Sequence, residues 1–471
     1  MLIAIFTIPS VLIFLVSFFK NLKSLKIMPI LTIFTAIPPF LLFFVPKPFN
    51  LWGNYLIIDS LGSYILIISA IVSIGISLSL LSLEKRVSIS AKAYMLFYRF
   101  FSIFWLGVTL AILANNMGIY WIGLEMGTLA TVYMIKVNNT KKAHKEAWNY
   151  MIIGAIGVSL ILFGIILIYA SAKPILGENA MEFDALLNSA KSISSPFLFE
   201  IGLSITIIGM FIKMGFFPMG LWLPDIERSA YYPIAAIFSG ILESAVIIGF
   251  FRFTQIAKDV NFYHIFSITS IYVILTIGII SFLIFRTRDF IRIFSLSGIE
   301  HMAIIALFWI AGGTYAALLH FGAHAFFKPG LFLSTGELEA HGQGKIAGSL
   351  KGFKGIKGRL FGFLITFFLL GIVSIPPSPM FFSELSGFGS IINVGINSSY
   401  LVIIIIFVVL LLIFLSGIFY RFISIYQSMR YEGSEKSKKV YTNELIALLI
   451  YGVGLILLLT PKVTTILRSI S

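Results

Sequence analysis

Runs of about 20 apolar residues recur along this sequence from end to end, each long enough to cross the roughly 30 Å hydrocarbon core of a bilayer as a single helix. One of them, LVIIIIFVVLLLIFL at residues 401–415, contains no polar side chain. Fourteen such runs fit this length, beginning near residues 1, 28, 62, 97, 118, 149, 198, 234, 264, 291, 315, 359, 399 and 443. With 59% hydrophobic and only 11% charged residues among 471, no soluble globular domain is expected. The expected fold is an all-α polytopic membrane protein of about 14 transmembrane helices. The first run has no basic n-region and no cleavage site, so it reads as a retained helix.

Lys and Arg outnumber Asp and Glu, 34 to 20. In a chain this apolar the excess marks cytoplasmic loops, not a nucleic-acid surface. Lys20, Lys23 and Lys26 follow the first run. Lys136, Lys141, Lys142 and Lys145, then Arg286, Arg288 and Arg292, then the segment from Lys345 to Arg359, fall in loops on the same side. This asymmetry puts a multi-pass protein in the cell membrane with its N-terminus and C-terminus outside. The loops are short, which leaves one membrane domain and no soluble catalytic domain. Cysteine is absent, excluding disulfides and iron–sulfur ligation by this chain, and six histidines leave little room for haem. No redox or hydrolytic active site is expected, and any redox cofactors belong to partner subunits.

Charge near the bilayer centre costs about 2.5–3.5 kcal/mol on insertion scales. The runs nonetheless hold Glu125, Lys213, Glu243, Glu300, Lys328 and Glu384, with His301, His320 and His324. So many ionisable groups point to an ion or proton path. Glu125 lies in GLEMGTLATVYMIK and Lys213 in GMFIKMGFFPMGLWLPD. Paired, they relieve each other's desolvation; a lysine whose charge follows its partner is a usable proton carrier. A static buried salt bridge is the alternative.

Pro218 follows Lys213 by five residues. Proline lacks the amide hydrogen and clashes with the preceding turn, and freed carbonyls at membrane depth need protein or water. A break is expected there, with a wet cavity at the lysine. GIVSIPPSPMFFSEL, residues 371–385, repeats the arrangement: Pro376, Pro377 and Pro379 interrupt a run, and Glu384 follows Pro379 by five. Paired interrupted helices are a pointer to transporter sites. In ALLHFGAHAFFKPGLF, His320, His324 and Lys328 are spaced four apart and share one helix face. Neutral imidazole both donates and accepts, which suits proton relay. A metal reading of the histidine pair is weaker, because no nearby cysteine or carboxylate in the sequence completes a ligand set. SGIEHMAIIAL adds Glu300 and His301, adjacent positions about 100° apart on a helix. Asp225, Glu227 and Arg228 read as a solvated loop, and Arg99 and Arg252 as residues that snorkel toward an interface.

These segments together resemble the antiporter-like proton-translocating subunits shared by respiratory complex I, multisubunit cation/proton antiporters and membrane-bound group 4 hydrogenases. The resemblance runs from roughly residue 95 to 425 and rests on WIGLEMGTLAT, KEAWNY, FIKMGFFPMGLWLPD, SGIEHM, HFGAHAFFKPGLF and IPPSPMFFSEL, in that order. The IEHM and FFSEL forms resemble the hydrogenase-4 component F branch. The resemblance implies two inverted five-helix units, spans 4–8 (residues 97–253) and spans 9–13 (residues 254–425). Spans 1–3 (residues 1–96) precede them and span 14 (residues 426–471) follows. It also implies breaks in spans 7 and 12, and a lateral row of translocating groups: Glu125, Lys213, His320, His324, Lys328 and Glu384. Many members carry a lysine in span 8 where this chain has Ser244, beside Glu243. Glu243, Ser244, Glu300 and His301 are therefore relay candidates. Implied partners are other antiporter-like and small membrane subunits and peripheral redox subunits, within the lipid bilayer.

Three functions remain open from sequence. The first is a proton-translocating subunit of a redox-driven complex of hydrogenase or NADH/quinone oxidoreductase type. The second is a sodium/proton antiporter subunit, with Glu125 and Glu384 ligating a hard cation. The third is a non-pumping membrane scaffold, suggested by Ser244.

Overall fold

A computed structural model of the chain describes all residues except 1, 20–21, 87–89, 190–195, 261, 263, 341–354, 397–400, 430–439 and 471. Lys20, Lys345, Lys351 and Lys354 of the expected basic loops lie outside the described residues.

The chain is almost wholly helical. Helices α1 (Leu2–Val16) and α2 (Leu22–Thr35) lead to a short antiparallel hairpin, β1 (Phe49–Leu51) and β2 (Leu56–Ile58), with Phe49 opposite Ile58. Then come α3 (Ser60–Arg86), α4 (Ala91–Leu113), α5 (Met117–Ile135), α6 (Lys141–Leu176), α7 (Phe183–Ser189), α8 (Pro196–Lys213), α9 (Leu223–Ser229) and α10 (Tyr232–Ile237). The remainder is α11 (Glu243–Asp259), α12 (His264–Arg286), α13 (Phe290–Ile310), α14 (Thr314–Ala340), α15 (Gly355–Ile372), α16 (Pro379–Ile396), α17 (Leu401–Met429), α18 (Thr442–Leu458) and α19 (Pro461–Ile470).

Among the described residues, eight helices are long and apolar enough to cross a membrane. They become nine if α18 and α19, bent by 69° at their break, form one span. Burial separates inner helices from outer ones. The apolar stretch Tyr232–Asp259 is fully covered, whereas only 33% of that in Ile404–Ile425 is. Ile271, Leu275 and Phe282 of α12, and Val409 and Leu412 of α17, are exposed apolar side chains of the kind lipid covers.

Helix starts are capped by the polar residues that short loops supply. Asn116 accepts from Gly118 N and Ile119 N at the start of α5, Thr140 from Ala143 N at α6, and Asp289 from Arg292 N at α13. Each cap satisfies amides that the first helical turn leaves unpaired. Asp289 also takes the Arg228 guanidinium at 2.6 Å, and Asp225 pairs with Arg292.

Glycines set the closest helix approaches. A Cβ on Gly209 of α8 would lie 2.7 Å from the Gly157 carbonyl of α6, and one on Gly202 would lie 2.9 Å from that of Gly164. Gly107 of α4 meets Gly123 of α5 in the same way, at 2.7 Å. Lipid gives no hydrophobic reason for helices to associate, so close backbone packing through small residues does that work.

The chain divides into two compact units. One comprises Met1–Ala70, Ala91–Trp222 and Ile241–Tyr272, and the other Ile71–Ser90, Leu223–Gly240 and Val273–Ser471. Glu125, Lys213, Glu243 and Ser244 belong to the first; Glu300, His301, His320, His324, Lys328 and Glu384 belong to the second.

Candidate functional site

Lys213 is the last residue of α8, and glycine ends that helix before proline is reached. Gly215 has φ +85°; its amide bonds the Ile212 carbonyl at 3.3 Å, and the Phe216 amide bonds Phe211 O at 2.9 Å. This is the Schellman closure, in which a left-handed residue lets two amides take up carbonyls of the last turn. Pro218 lies in the connection to α9. The Trp222 indole donates to Ile212 O at 3.3 Å, so the broken end is partly satisfied by protein.

Lys213 is buried, and its Nζ donates to the Thr128 hydroxyl of α5 at 2.7 Å. Thr128 lies three residues after Glu125, hence on the same helix face. The Tyr150 ring of α6 sits 5.3 Å from the ammonium, stacks on Trp222 at 4.7 Å, and its hydroxyl bonds Thr131 at 3.1 Å. Among the described residues Lys213 donates to Thr128 rather than forming an ion pair with Glu125, which is half-buried. Glu125 Oε2 has no hydrogen-bond partner among the described residues.

On α11, Glu243 and Ser244 are both buried, and Ser69 of α3 meets Ser244, hydroxyl to hydroxyl, at 3.0 Å. Ser244 stands where the family resemblance would put a lysine, and its hydroxyl partner is a second serine. Arg252 does not snorkel. It is 4% exposed, pairs with Asp59 at 3.0 Å and donates to Ala114 O. A carboxylate and a carbonyl within reach hold the guanidinium inside.

The second unit holds the larger cluster. The Lys328 ammonium of α14 donates to the Ser297 hydroxyl of α13 at 2.9 Å, and Ser297 lies three residues before Glu300. A Cβ at Gly298 would lie 3.0 Å from Lys328 Cε, so the glycine makes room for the lysine stem. The two lysines thus share one motif: an ammonium on a neighbouring helix's hydroxyl, with a glutamate three residues from that hydroxyl.

His301 Nδ1 lies 3.0 Å from His320 Nε2 and 3.2 Å from Glu300 Oε2. Adjacent helix positions point about 100° apart, yet the flexible glutamate curls back, so both Glu300 and His301 join the cluster. His320 Nδ1 meets the Ser383 hydroxyl of α16 at 2.9 Å, and that hydroxyl donates to Met380 O at 2.7 Å. A hydroxyl has one proton. With it committed to Met380 O, Ser383 accepts from His320 Nδ1–H, which leaves His320 Nε2 to accept from His301 Nδ1–H. The chain of bonds has a direction. The His324 ring centroid lies 5.7 Å from that of His301.

The second interruption repeats the first. Ser374 has φ +60°; its amide bonds Gly371 O at 3.1 Å and the Ile375 amide bonds Leu370 O at 3.2 Å, closing α15 as Gly215 closes α8. Pro376 and Pro377 lie in the connection. Pro379 begins α16 instead of breaking a helix, with Ser378 as its N-cap, accepting from Phe381 N at 3.2 Å. The buried Glu384 carboxylate accepts the Ser374 hydroxyl across the interruption.

Folding also supplies the carboxylate that the sequence does not show beside the histidines. One ligand atom each from His301, His320 and Glu384 lies within 4.8 Å of the others. That set would suit a three-ligand metal, but the two facing imidazole nitrogens already engage each other. Sequence reasoning missed Thr128, Ser297, Ser374 and Ser383, short polar residues without a motif of their own. The expected solvated loop is instead helix α9, in which Glu227 is buried at 2% exposed. Sequence reasoning also missed two further buried carboxylates: Glu444, which accepts from Ser79 and Ser82 at 2.7 and 3.3 Å, and Glu337, which accepts from Tyr441 N at 2.9 Å. Both flank segments rich in charge, which disguises their burial.

Interrupted helices, with lysines, histidines and carboxylates buried among apolar spans, define a polytopic membrane protein of the transporter-like class. Residues 114–414 match the NADH:quinone oxidoreductase/Mrp antiporter transmembrane family, and the chain belongs to that family. It is 30% identical over 359 residues to the hydrogenase-4 component F homolog of Methylacidiphilum infernorum, covering 73% of each chain. It is 24% identical over 300 residues to NADH-quinone oxidoreductase subunit N of Bdellovibrio bacteriovorus, covering 62% of this chain and 60% of that one. Its fold is that of a chain in an archaeal membrane-bound sulfane sulfur reductase (TM-score 0.82, 20% identity, covering 100% of this chain and 96% of that one). A chain of the Mrp complex from Dietzia sp. DQ12-45-1b shares it too (TM-score 0.79, 14% identity, 99% and 95% covered).

Proposed function

We propose that this chain is a proton-translocating, antiporter-like membrane subunit of a redox-driven energy-converting complex of hydrogenase or NADH/quinone oxidoreductase type. The observation that carries the reading is the repeated lysine motif, Lys213 on Thr128 and Lys328 on Ser297, each ammonium buried and donating to a hydroxyl of a neighbouring helix. Glu125 and Lys213 form the switching pair. His301, His320, His324 and Lys328 relay, and Glu384 exchanges with a further half-channel or a neighbouring subunit. Glu243, Ser244 and Ser69 line the route onward from Lys213. Redox cofactors sit on partner subunits, and none is assigned to this chain. The partners are further antiporter-like and small membrane subunits and peripheral redox subunits in the cell membrane.

The same reading includes fourteen spans, both termini outside, and two inverted five-helix units. Helices starting close to each apolar run support the count. The matching closures at Gly215 and Ser374, each with a proline three residues later, support the equivalence of spans 7 and 12. A sodium/proton antiporter subunit is the second reading, favoured by the family's inclusion of Mrp antiporters. Proton uptake by the complex in vesicles, with and without sodium, tests the choice: uptake independent of sodium supports the proton reading, and strict sodium dependence overturns it.

A further inference from the structure

Ser374 stands at a backbone position where a side chain is strained. Its φ of +60° lies in the left-handed region, where glycine is the usual residue at a helix C-terminus. The ends of α8 and α13 close by the same pair of bonds and use Gly215 and Gly312, at φ +85° and +79°. Trp52 and Asn54, the other non-glycine residues at positive φ among the described residues, sit in the β1–β2 hairpin turn. Glycine would therefore complete the end of α15 with less strain, yet a serine is there.

The side chain supplies the reason. The Ser374 hydroxyl donates to Glu384 Oε1, ten residues on and in the second turn of α16. Both residues are buried. The hydroxyl is fixed to the closed end of one helix, and the carboxylate belongs to the next, so this bond spans the interruption. It holds the carboxylate where a ligand atom lies within 4.8 Å of a nitrogen of His301 and of His320.

We propose that Ser374 is the positioning residue of Glu384: backbone strain at the helix end is retained because the hydroxyl aims the carboxylate at the histidine pair. The inference rests on the reading of Glu384 as a proton carrier. A proton passing from a protonated imidazole to the carboxylate leaves both groups neutral, and the transfer needs the two within reach of one another or of one bridging water. Without the hydroxyl the carboxylate is free to turn away.

Ser374→Gly separates this role from a structural one, since it removes the hydroxyl and the strain together. In the purified complex reconstituted in vesicles, the expected result is unchanged assembly, a thermal midpoint equal to or above wild type, and proton translocation lowered about tenfold or more, the size of one lost hydrogen bond to a charged group. The infrared carbonyl band of protonated Glu384, identified by its loss in Glu384→Gln, should shift upward in Ser374→Gly. Full translocation with an unmoved band overturns the inference. Full translocation in Glu384→Gln overturns the proton-carrier reading instead, and the band shift still tests whether Ser374 holds the carboxylate.

Discussion

The Lys213 ammonium donates to the Thr128 hydroxyl at 2.7 Å, one helix away and three residues past Glu125. A hydroxyl can hold either a charged or a neutral amine, whereas a close carboxylate favours only the charged form. Lys328 on Ser297 repeats the relationship at 2.9 Å. Each hydroxyl holds its lysine in place without fixing it in one charge state, as a proton carrier requires.

Replacing Thr128 by Val keeps the shape and removes the acceptor. A buried amine left without its partner costs about 1–3 kcal/mol, more when charged. The expected outcome is a lower thermal midpoint of the complex and proton translocation reduced about tenfold, while Thr128→Ser stays near wild type. Ser297→Ala should act likewise through Lys328. Equal translocation by Thr128→Val and wild type would remove the hydroxyl from the account.

Ser383 sets the direction of the histidine chain. Its proton goes to Met380 O, so His320 carries its proton on Nδ1. In Ser383→Ala that nitrogen loses its acceptor, and the tautomer should become mixed, read as altered nitrogen-15 shifts of labelled histidine in the membrane-embedded complex. Unaltered shifts would contradict the assigned direction.

Close glycine packing between α6 and α8 predicts a stability effect. A Cβ at Gly209 would sit 2.7 Å from a backbone oxygen that cannot move aside, whereas at Gly362 nothing lies within 4 Å. Gly209→Ala should destabilise by about 1–3 kcal/mol as an overpacked contact. Gly362→Ala should leave the thermal midpoint unchanged or slightly raised. Equal midpoints in the two variants would show that these helices do not pack through their glycines.

Arg252 pairs with Asp59 and Ala114 O inside the first unit. Asp59 is partly exposed, so water offsets some of the loss when the guanidinium goes. Arg252→Leu should still lower stability by about 1–3 kcal/mol, because a carboxylate and a carbonyl lose their donor together. An Arg252→Leu complex as stable as wild type would return this residue to the surface role expected from sequence.

Most of the candidate groups were legible because lipid makes them conspicuous. Glu125, Lys213, His320, His324, Lys328 and Glu384 stand out as ionisable residues in apolar runs, and the interruptions stand out through their prolines. The cause of the interruptions was less visible. Gly215 and Ser374 close the helices by left-handed backbone geometry; Pro218, Pro376 and Pro377 occupy the connections beyond those closures, and Pro379 begins the next helix. Thr128, Ser297 and Ser383 were hidden because a single hydroxyl gains meaning only from a neighbouring helix. Arg252 was misread for a related reason: its partners Asp59 and Ala114 are far away in sequence. Glu384 near His301 and His320 likewise depends on tertiary packing that no spacing rule encodes.

The most direct test of the account is proton translocation by the assembled complex carrying Lys213→Ala, measured per redox turnover in sealed vesicles. The expected result is a fully assembled complex whose translocation by this subunit is lost, lowering the proton yield per turnover. A Lys213→Ala complex that moves as many protons per turnover as wild type would contradict it and leave the chain a membrane support.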